Sequence, residues 1–380
     1  MKLTWKLTWR RAVIALAVLA LLALAAWRLA PYNVAASVGH LAPVRAFLHS
    51  YMKNAVEIRA AALDPPAWFD PDDPALVRLG AAHYATGCAP CHGAPGKVRS
   101  AVVTSMLPEP TQLGMVRNTP AEFYWLARHG LKYTGMPAWS GRGRDDEPWA
   151  LAAFLSRYST LGPDDYRRLA HGTEKARSDS AAADFADMAP DAGPHIEDCA
   201  RCHGRDGLGR EGTAPKLAGQ SEAYLLGALD AYARDLRQSG FMEPVAVRLG
   251  EDLRREIARN YASMKPDIWQ GRANGQGDAA RGRILALNGD EHDEIPSCVA
   301  CHGGAGQPPR TAEVPRIAGQ DARWIRIWLR IWRDGPVPAT PGAARMAAAA
   351  RGLDDQAIDD LAAFYSSGPS AAATREQADR

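Results

Sequence analysis

The pattern of the five residues Cys88-Ala-Pro-Cys91-His92 occurs three times in this chain. The other copies are Cys199-Ala-Arg-Cys202-His203 and Cys298-Val-Ala-Cys301-His302, and together the three use all six cysteines. C-x-x-C-H is the attachment signature of c-type haem, in which the two thiols form thioethers with the porphyrin and the histidine ligates the iron. A single copy could also occur by chance or form half of a zinc site. Three copies that use every cysteine predict three covalently attached haems c.

The composition is that of ordinary globular protein, with 47% hydrophobic and 23% charged residues among 380. A chain of this length is expected to hold two or three domains. The formal net charge of +2 argues against a protein that binds nucleic acid. Because every cysteine belongs to a haem motif, no pair remains for a disulfide framework.

The N-terminal segment 1–30 indicates export. A basic stretch, 1–11, precedes an uncharged run of sixteen residues, Ala12 to Trp27. That length lies between a signal peptide and a spanning helix, and Ala23-Leu24-Ala25 would serve as a cleavage site. We favour an uncleaved anchor over a soluble periplasmic form. Both place the rest of the chain on the periplasmic side, because the basic end stays in the cytoplasm.

A connecting segment, 31–71, follows and is predicted to be partly helical. His40 to Arg59 has apolar residues at helical spacing. We expect this helix to pack on the first domain. The alternative is a helix that lies near the membrane surface.

The first domain is predicted at 72–160. Pro74 stands at the start of a helix on which Gly80 and Tyr84 lie one turn apart, and a second helix runs from Glu147 to Tyr158. This arrangement resembles the class I cytochromes c. The resemblance implies that the two helices cross at Gly80, since a glycine lets two backbones approach closely.

The sixth ligand of the first iron is expected to be Met136, 44 residues after His92. Its surroundings, Gly135-Met136-Pro137-Ala138-Trp139, resemble the methionine loop of class I cytochromes c. A thioether at this position raises the reduction potential. The competitors that lack this context are Met106, Met115 and, as a nitrogen ligand, His129.

The two later motifs lie in an internal repeat, which predicts duplicated domains at 194–272 and 273–368. The string Pro215-Lys-Leu-Ala-Gly-Gln220 returns as Pro315-Arg-Ile-Ala-Gly-Gln320, at an offset of 100 residues. In each copy a helix, a methionine and a further helix follow. A flexible linker is predicted at 161–193 and a polar tail at 369–380.

This repeated pair resembles cytochrome c4, a periplasmic carrier with two haems. The resemblance implies that the carbonyl of Pro215 accepts a proton from the ring of His203. Pro315 would do the same for His302, and such a bond fixes the tautomer of the ligand. It also implies that Met242 and Met346 are sixth ligands, with Met264 as the competitor for the second haem. Two features depart from the family and leave the closing contacts of both domains open: the interrupted N-terminal helix of domain two and the insertion 288–297.

The other histidines have simpler expected roles. His83 is expected on a helix surface, and His171 and His195 in solvent. His292 lies in the acidic insertion, where a solvated loop is favoured over a metal site.

Trp324, Trp328 and Trp332 recur every four residues, which places them on one stripe of a helix. We expect this stripe to be core or an interface between domains two and three, with partner docking as the alternative. The flanking arginines either pair with haem propionates or solvate the helix.

The sequence thus predicts an all-α protein of three tandem class I cytochrome c domains after an N-terminal hydrophobic helix. If each iron has a histidine and a methionine, substrate cannot reach the metal, and no catalytic residues are predicted. The haems then pass single electrons. We expect a membrane-tethered periplasmic electron carrier, not an enzyme. It would link a quinol-oxidising complex or a dehydrogenase to a terminal oxidase or a soluble cytochrome.

Two alternatives stay open. The chain could be the cytochrome subunit of a membrane-bound periplasmic dehydrogenase complex, since such enzymes carry triheme subunits of this layout. It could also be a haem enzyme that resembles the di-haem peroxidases, which need one iron with an open site. The second alternative gains if Met136, Met242 or Met346 is not a ligand.

Overall fold

The computed structural model describes residues 8–172, 196–210, 212, 214–264, 271, 273, 275–304, 307–335, 339–340 and 342–368. In these residues the regular structure is helical, and the one β-type contact is an isolated antiparallel bridge between Asp290 and Ile295. The all-α prediction is therefore confirmed. His195, the predicted tail 369–380 and most of the predicted linker lie outside the described residues.

Two helices precede the first domain, α1 (Trp9–Leu29) and α2 (Ala42–Ala60). The first domain consists of α3 (Pro74–Gly87), α4 (Ala89–His92), α5 (Ala101–Thr104), a 3-10 turn (Leu113–Met115), α6 (Pro120–His129), α7 (Asp146–Tyr158) and α8 (Pro163–His171).

The N-terminal helix α1 is 21 residues long, and none of its side chains is buried. By length and composition it could cross a membrane. The next helix, α2, packs on the first domain only with its C-terminal end, where Val56 and Ala60 are buried. In its first half Phe47 and Tyr51 are exposed. The predicted packing of this helix is therefore confirmed for its second half alone.

The first domain closes where α3 and α7 cross. A Cβ atom on Gly80 would lie 2.0 Å from the carbonyl oxygen of Ala150, so the close approach of the two backbones requires a glycine. The hydroxyls of Tyr84 and Tyr158 both donate to the carbonyl oxygen of Gly93, at 2.5 and 3.0 Å. The helix crossing that the resemblance implied is present.

The predicted end of the first domain, residue 160, is too early. The helix α8 buries Tyr166 and Ala170 in the same core as α3 and α7. The predicted linker 161–193 therefore begins with an integral helix of the first domain. The sequence signal was present, since Pro163 at the first helical position is followed by two acidic residues in the first turn.

The remaining helices belong to the two repeated domains. They are α9 (Ile196–His203), α10 (Glu222–Ala233), α11 (Met242–Arg248), α12 (Glu251–Ser263), α13 (Ala279–Asn288), α14 (Val299–His302), α15 (Ala322–Asp334), α16 (Ala343–Ala350) and α17 (Asp355–Ser366).

The third domain repeats the crossing of the first. A Cβ atom on Gly282 of α13 would lie 1.9 Å from the carbonyl oxygen of Asp360 in α17. The Asp360 carboxylate accepts hydrogen bonds from Arg281 Nε and from the backbone N–H of Asp278, at 2.7 and 2.6 Å. In the second domain the first described helix, α9, carries the haem motif, and the closing helix α12 packs against α10.

The insertion before the third motif folds as a tight loop. The backbones of Asp290 and Ile295 exchange two hydrogen bonds of 2.8 Å, and Ile295 is buried in the core of the domain. A Cβ atom on Gly352 would lie 1.8 Å from the carbonyl oxygen of Asp293, so the loop lies directly on the domain. His292 at its tip is exposed, as expected for a solvated loop.

Candidate functional site

Each haem motif lies on a helical segment that ends with its histidine. In the first and third motifs the histidine N–H donates to the carbonyl of the first cysteine, so one turn of helix brings these residues together. The next residue is a glycine with φ between 76° and 78° in all three copies: Gly93, Gly204 and Gly303. This backbone conformation favours glycine and lets the chain turn away after the histidine. Sequence reasoning missed these three glycines, although each directly follows a motif.

A carbonyl oxygen orients each histidine ring. Nδ1 of His203 lies 2.9 Å from the carbonyl oxygen of Pro215, and Nδ1 of His302 lies 2.8 Å from that of Pro315. These are the two hydrogen bonds that the c4 resemblance implied. In the first domain the carbonyl oxygen of Thr111 has the same role and lies 2.8 Å from Nδ1 of His92. Thr111 was not predicted, because it follows its histidine by nineteen residues rather than twelve or thirteen.

The environment of the three histidine rings favours their neutral form. Burial lowers the pKa of His203 and His302, while the hydrogen bond to the proline carbonyl opposes this shift. Burial likewise lowers the pKa of His92. A neutral ring that donates Nδ1–H to a carbonyl keeps the lone pair of Nε2 for a metal.

No disulfide joins the six cysteines, and all except Cys301 are buried or half-buried. Burial raises the pKa of Cys88 to about 12 and that of Cys298 to about 11. Dithiol redox enzymes show the opposite shift, because they need a thiolate. A zinc site needs about four ligands, and no group of three or more His, Cys, Asp or Glu in the described part of the chain is placed to hold a metal.

The structure separates the methionine candidates of the first domain. Met136 is partly buried in its loop, whereas Met115 and His129 are exposed. Met106 lies beside the same loop, since its Cε is 2.7 Å from the position of a Cβ on Gly135. Met106 therefore stays the competitor of Met136 by position.

The methionine candidates of the repeated domains have different surroundings. Met242 is the first residue of α11, and Met346 lies in α16. Met264 directly follows α12 and packs against the apolar core of the second domain, in which Tyr261 is buried. A core position explains Met264 without a metal, which favours Met242 as the ligand.

The residues present fit haem. Among the described residues, the Nε atoms of four arginines are buried without a hydrogen-bond partner: Arg99, Arg201, Arg237 and Arg248. A buried cationic donor needs an acidic partner, and the propionates of haem are such acids. Arg99, seven residues after His92, already pairs with Glu109 through Nη2. Arg201, which lies within the second motif, has no ion pair with an acidic side chain among those that the structure describes. Attached through the cysteines and ligated by the histidine, this group supplies one-electron chemistry.

The two repeated domains are joined through their matching hexapeptides. The side chain of Gln220 bonds both the N–H and the carbonyl of Arg316, at 2.9 and 2.8 Å. Gln320 makes the same pair of bonds with Lys216, at 2.9 and 2.8 Å. Gln320 is fully buried. The two histidine-side segments of this pair are therefore held face to face by four hydrogen bonds.

The first domain docks on the second through Glu147. Its carboxylate accepts hydrogen bonds from Ser239 Oγ, the Gly240 N–H and Trp139 Nε1, at 2.5, 2.8 and 2.8 Å. Arg144 lies 3.1 Å from the same carboxylate. Burial raises the pKa of Glu147, and Arg144 opposes this shift. Four groups around one buried carboxylate make this a specific junction.

His83 lies in the same junction, between Trp139 and Phe241, with ring centroids at 5.9 and 4.5 Å. The prediction that it lies on a helix surface is wrong, because docking of the second domain covers it. His171, expected in solvent, is also largely enclosed, with its ring beside Tyr166 at 6.2 Å. Burial lowers the pKa of His171 to about 4.

The tryptophan stripe lies at a meeting point of all three domains. Trp324 and Trp332 pack on the core of the third domain. The ring of Trp328 faces Arg237 of the second domain at 4.2 Å and Arg144 of the first at 5.3 Å. The core and interface roles predicted for the stripe are confirmed. The flanking arginines pair with acidic side chains, Arg323 with Asp73, Arg326 with Asp359, and Arg330 and Arg333 with Asp355.

Two protein-family models match the chain. The model described as cytochrome c oxidase, cbb3-type, subunit III matches residues 75–155. The model described as cytochrome c matches 192–264 and 279–368. The matched ranges fall on the three groups of helices described above.

Curated relatives agree with the family models. A thiosulfate dehydrogenase electron acceptor from Stutzerimonas stutzeri (strain A1501) is 34% identical over 46% of this chain and 80% of its own length. Cytochrome c4 from Azotobacter vinelandii is 33% identical over 36% of this chain and 68% of its own length. A solved thiosulfate dehydrogenase, TsdBA from Marichromatium purpuratum, is 35% identical over 48% of this chain and 38% of its own, with a TM-score of 0.42. The chain belongs to the cytochrome c family and is homologous to cytochrome c4 and to the thiosulfate dehydrogenase electron acceptor.

Proposed function

We propose that this electron-transfer protein is a membrane-tethered periplasmic cytochrome with three haems c, attached at Cys88/Cys91, Cys199/Cys202 and Cys298/Cys301. The observation that carries the proposal is the shared geometry of the three motifs. Each histidine is held through Nδ1 by a backbone carbonyl at 2.8–2.9 Å, which leaves its other nitrogen for iron. His92 with Met136, His203 with Met242, and His302 with Met346 are the proposed iron ligands.

The proposed role is to accept electrons at one end and deliver them at the other. The relationship to a thiosulfate dehydrogenase electron acceptor supports a periplasmic dehydrogenase as the donor. The oxidase-subunit model that matches the first domain supports a terminal oxidase as the acceptor. A quinol-oxidising complex as donor and a soluble cytochrome as acceptor complete the set of partners to test. Contacts between all three domains support electron exchange within one compact unit.

A second candidate is a permanent cytochrome subunit of a periplasmic dehydrogenase complex. The similarity to the thiosulfate dehydrogenase electron acceptor also favours this candidate, because the name of that relative links it to a dehydrogenase. Purification in mild detergent separates the two candidates. A carrier is recovered alone, whereas a subunit is recovered with the dehydrogenase at fixed stoichiometry.

Haem content and the optical spectrum test the core of the proposal. We expect three haems c per chain and, in the oxidised protein, the charge-transfer band of a methionine–iron bond. The oxidised protein should not bind cyanide readily. A high-spin component that binds cyanide or carbon monoxide would instead support an enzyme with an open iron, of the di-haem peroxidase kind.

A further inference from the structure

An amphipathic surface on the first half of α2 has no partner among the residues that the structure describes. Phe47, Leu48 and Tyr51 are 66%, 46% and 64% exposed, although all three are apolar or aromatic. They lie on one side of the helix, and the rings of Phe47 and Tyr51 stack one turn apart at 6.1 Å. Arg45, His49 and Lys53 follow one another at four-residue spacing on the other side. We call the first three residues the apolar stripe.

The second half of α2 attaches the helix to the first domain through a side other than the apolar stripe. In that half, the side chains of Val56 and Ala60 pack against the first domain, and both are buried. The stripe lies on a different side and stays outside while the helix remains attached to the domain. The position of the stripe relative to the first domain is therefore fixed.

Charge indicates what covers the stripe. Between the last turn of α1 and Glu57, the first acidic residue of the chain, lie three basic residues on the same side of the membrane, Arg28, Arg45 and Lys53. The four basic residues of 1–11 stay on the opposite side. From Glu57 onward, 38 basic residues are outnumbered by 43 acidic residues. An anionic surface therefore attracts the segment before Glu57 and not the acidic remainder.

The stripe also continues from the candidate membrane span. The twelve residues between α1 and α2 contain no Lys, Arg, Asp or Glu, and Val34 and Val38 among them are exposed. Phe and Leu on one face and basic residues on the other are typical of a helix that lies in the headgroup region of a bilayer.

We propose that the apolar stripe of α2 docks on the lipid surface that α1 enters, and so holds the first domain against an anionic membrane in one orientation. This inference rests on the membrane tether of the proposed function but not on the number of haems. The first domain is then the domain nearest the bilayer. Its fixed orientation means that a redox partner in the membrane always contacts the same side of it.

Site-directed spin labelling of the full-length holoprotein tests this docking. Phe47→Cys and His49→Cys each introduce one thiol, and the unsubstituted protein measures any labelling of the six native cysteines. The labelled proteins are reconstituted in nanodiscs of phosphatidylcholine with phosphatidylglycerol. We expect oxygen to reach the label at position 47 better than a water-soluble nickel chelate does, and the reverse at position 49.

Three results would overturn the proposal. If both labels are reached equally well by the nickel chelate, the stripe lies in water. If the label at position 47 is shielded from both reagents, a protein surface covers it, either a partner or a second copy. If alkaline carbonate releases the protein from membranes, the tether itself fails, and the haem spectrum shows independently whether the electron carrier is intact.

Discussion

Ser239 donates a hydrogen bond of 2.5 Å to Glu147, and this contact joins the segments that carry two proposed iron ligands. Ser239 precedes Met242 by three residues, and Trp139, bonded to the same carboxylate, follows Met136 by three. The methionine sides of the first and second domains therefore meet at one buried carboxylate. The second and third domains meet at their histidine sides, through Gln220 and Gln320.

Substitution of Glu147 is expected to loosen the first junction. Glu147→Gln keeps the shape of the side chain but removes the charge beside Arg144 and turns an amide donor toward groups that need an acceptor. Loss of one partner of a buried ion pair costs about 3–5 kcal/mol. Even a third of that, about 1.4 kcal/mol, is a tenfold change. We therefore expect the Gly240 amide to exchange its hydrogen at least tenfold faster.

Hydrogen exchange measured by mass spectrometry on the peptide that contains Gly240 gives this result directly. The matched control is Glu222→Gln. Glu222 pairs with Arg259 at 2.9 Å on the surface of the second domain, where exposed ion pairs contribute little. Unchanged exchange at Gly240 in the Glu147 variant would show that the junction does not depend on this carboxylate.

The ligand of the second iron is tested by a pair of leucine variants. Met242→Leu keeps the volume of the side chain but removes the sulfur. If Met242 is the ligand, about one third of the methionine–iron charge-transfer absorbance is lost, because one of three equivalent sites loses its thioether. Met264→Leu is the control and should leave the band intact. A loss of the band in the Met264 variant alone would reverse the assignment.

The crossing of α3 and α7 is tested by two glycine substitutions. In Gly80→Ala the new methyl group would meet the carbonyl oxygen of Ala150 at 2.0 Å, so the helices must separate, at a cost of about 1–3 kcal/mol or more. In Gly227→Ala, within α10, the new methyl group would lie more than 4 Å from the atoms of other described residues outside its own stretch of helix, so the substitution should stabilise the protein by about 0.5–1 kcal/mol. Thermal unfolding measures both. Equal melting temperatures for the two variants would mean that α3 and α7 do not cross at Gly80.

The sequence predicted those features that depend on local spacing. The haem motifs and the hexapeptide repeat follow from residues a few positions apart or from an exact offset between copies, whereas the Gly80 crossing was implied by the resemblance to class I cytochromes c. The docking of the first domain was not predicted, because Glu147 and Ser239 are 92 residues apart and neither belongs to a motif. The wrong prediction of a surface position for His83 has the same cause. A helix position looks exposed in the sequence until another domain covers it.

Burial gives His83 a distinctive effect on stability. It lowers the pKa of His83 from 6.5 to about 3; Arg144 and Arg201 add to this shift, and Asp146 opposes it. Neither ring nitrogen has a hydrogen-bond partner in the part of the chain that the structure describes. In the unfolded chain the ring titrates near its ordinary value. Between about pH 6.5 and pH 3 the unfolded state therefore binds a proton that the folded state does not, so the free energy of unfolding falls as the pH is lowered.

Replacement of His83 should remove this dependence on pH. His83→Phe keeps a ring between Trp139 and Phe241 but cannot bind a proton. Relative to the original protein, the variant should gain about 2 kcal/mol of stability between pH 7 and pH 5, because protonation of the unfolded chain no longer competes with folding. Urea unfolding followed by circular dichroism at both pH values measures the gain. His292→Phe, in the exposed loop of the third domain, is the control and should show no such gain. If the difference in free energy of unfolding between the His83 variant and the original protein stays constant with pH, His83 is accessible to protons in the folded state. The second domain then does not stay docked over it.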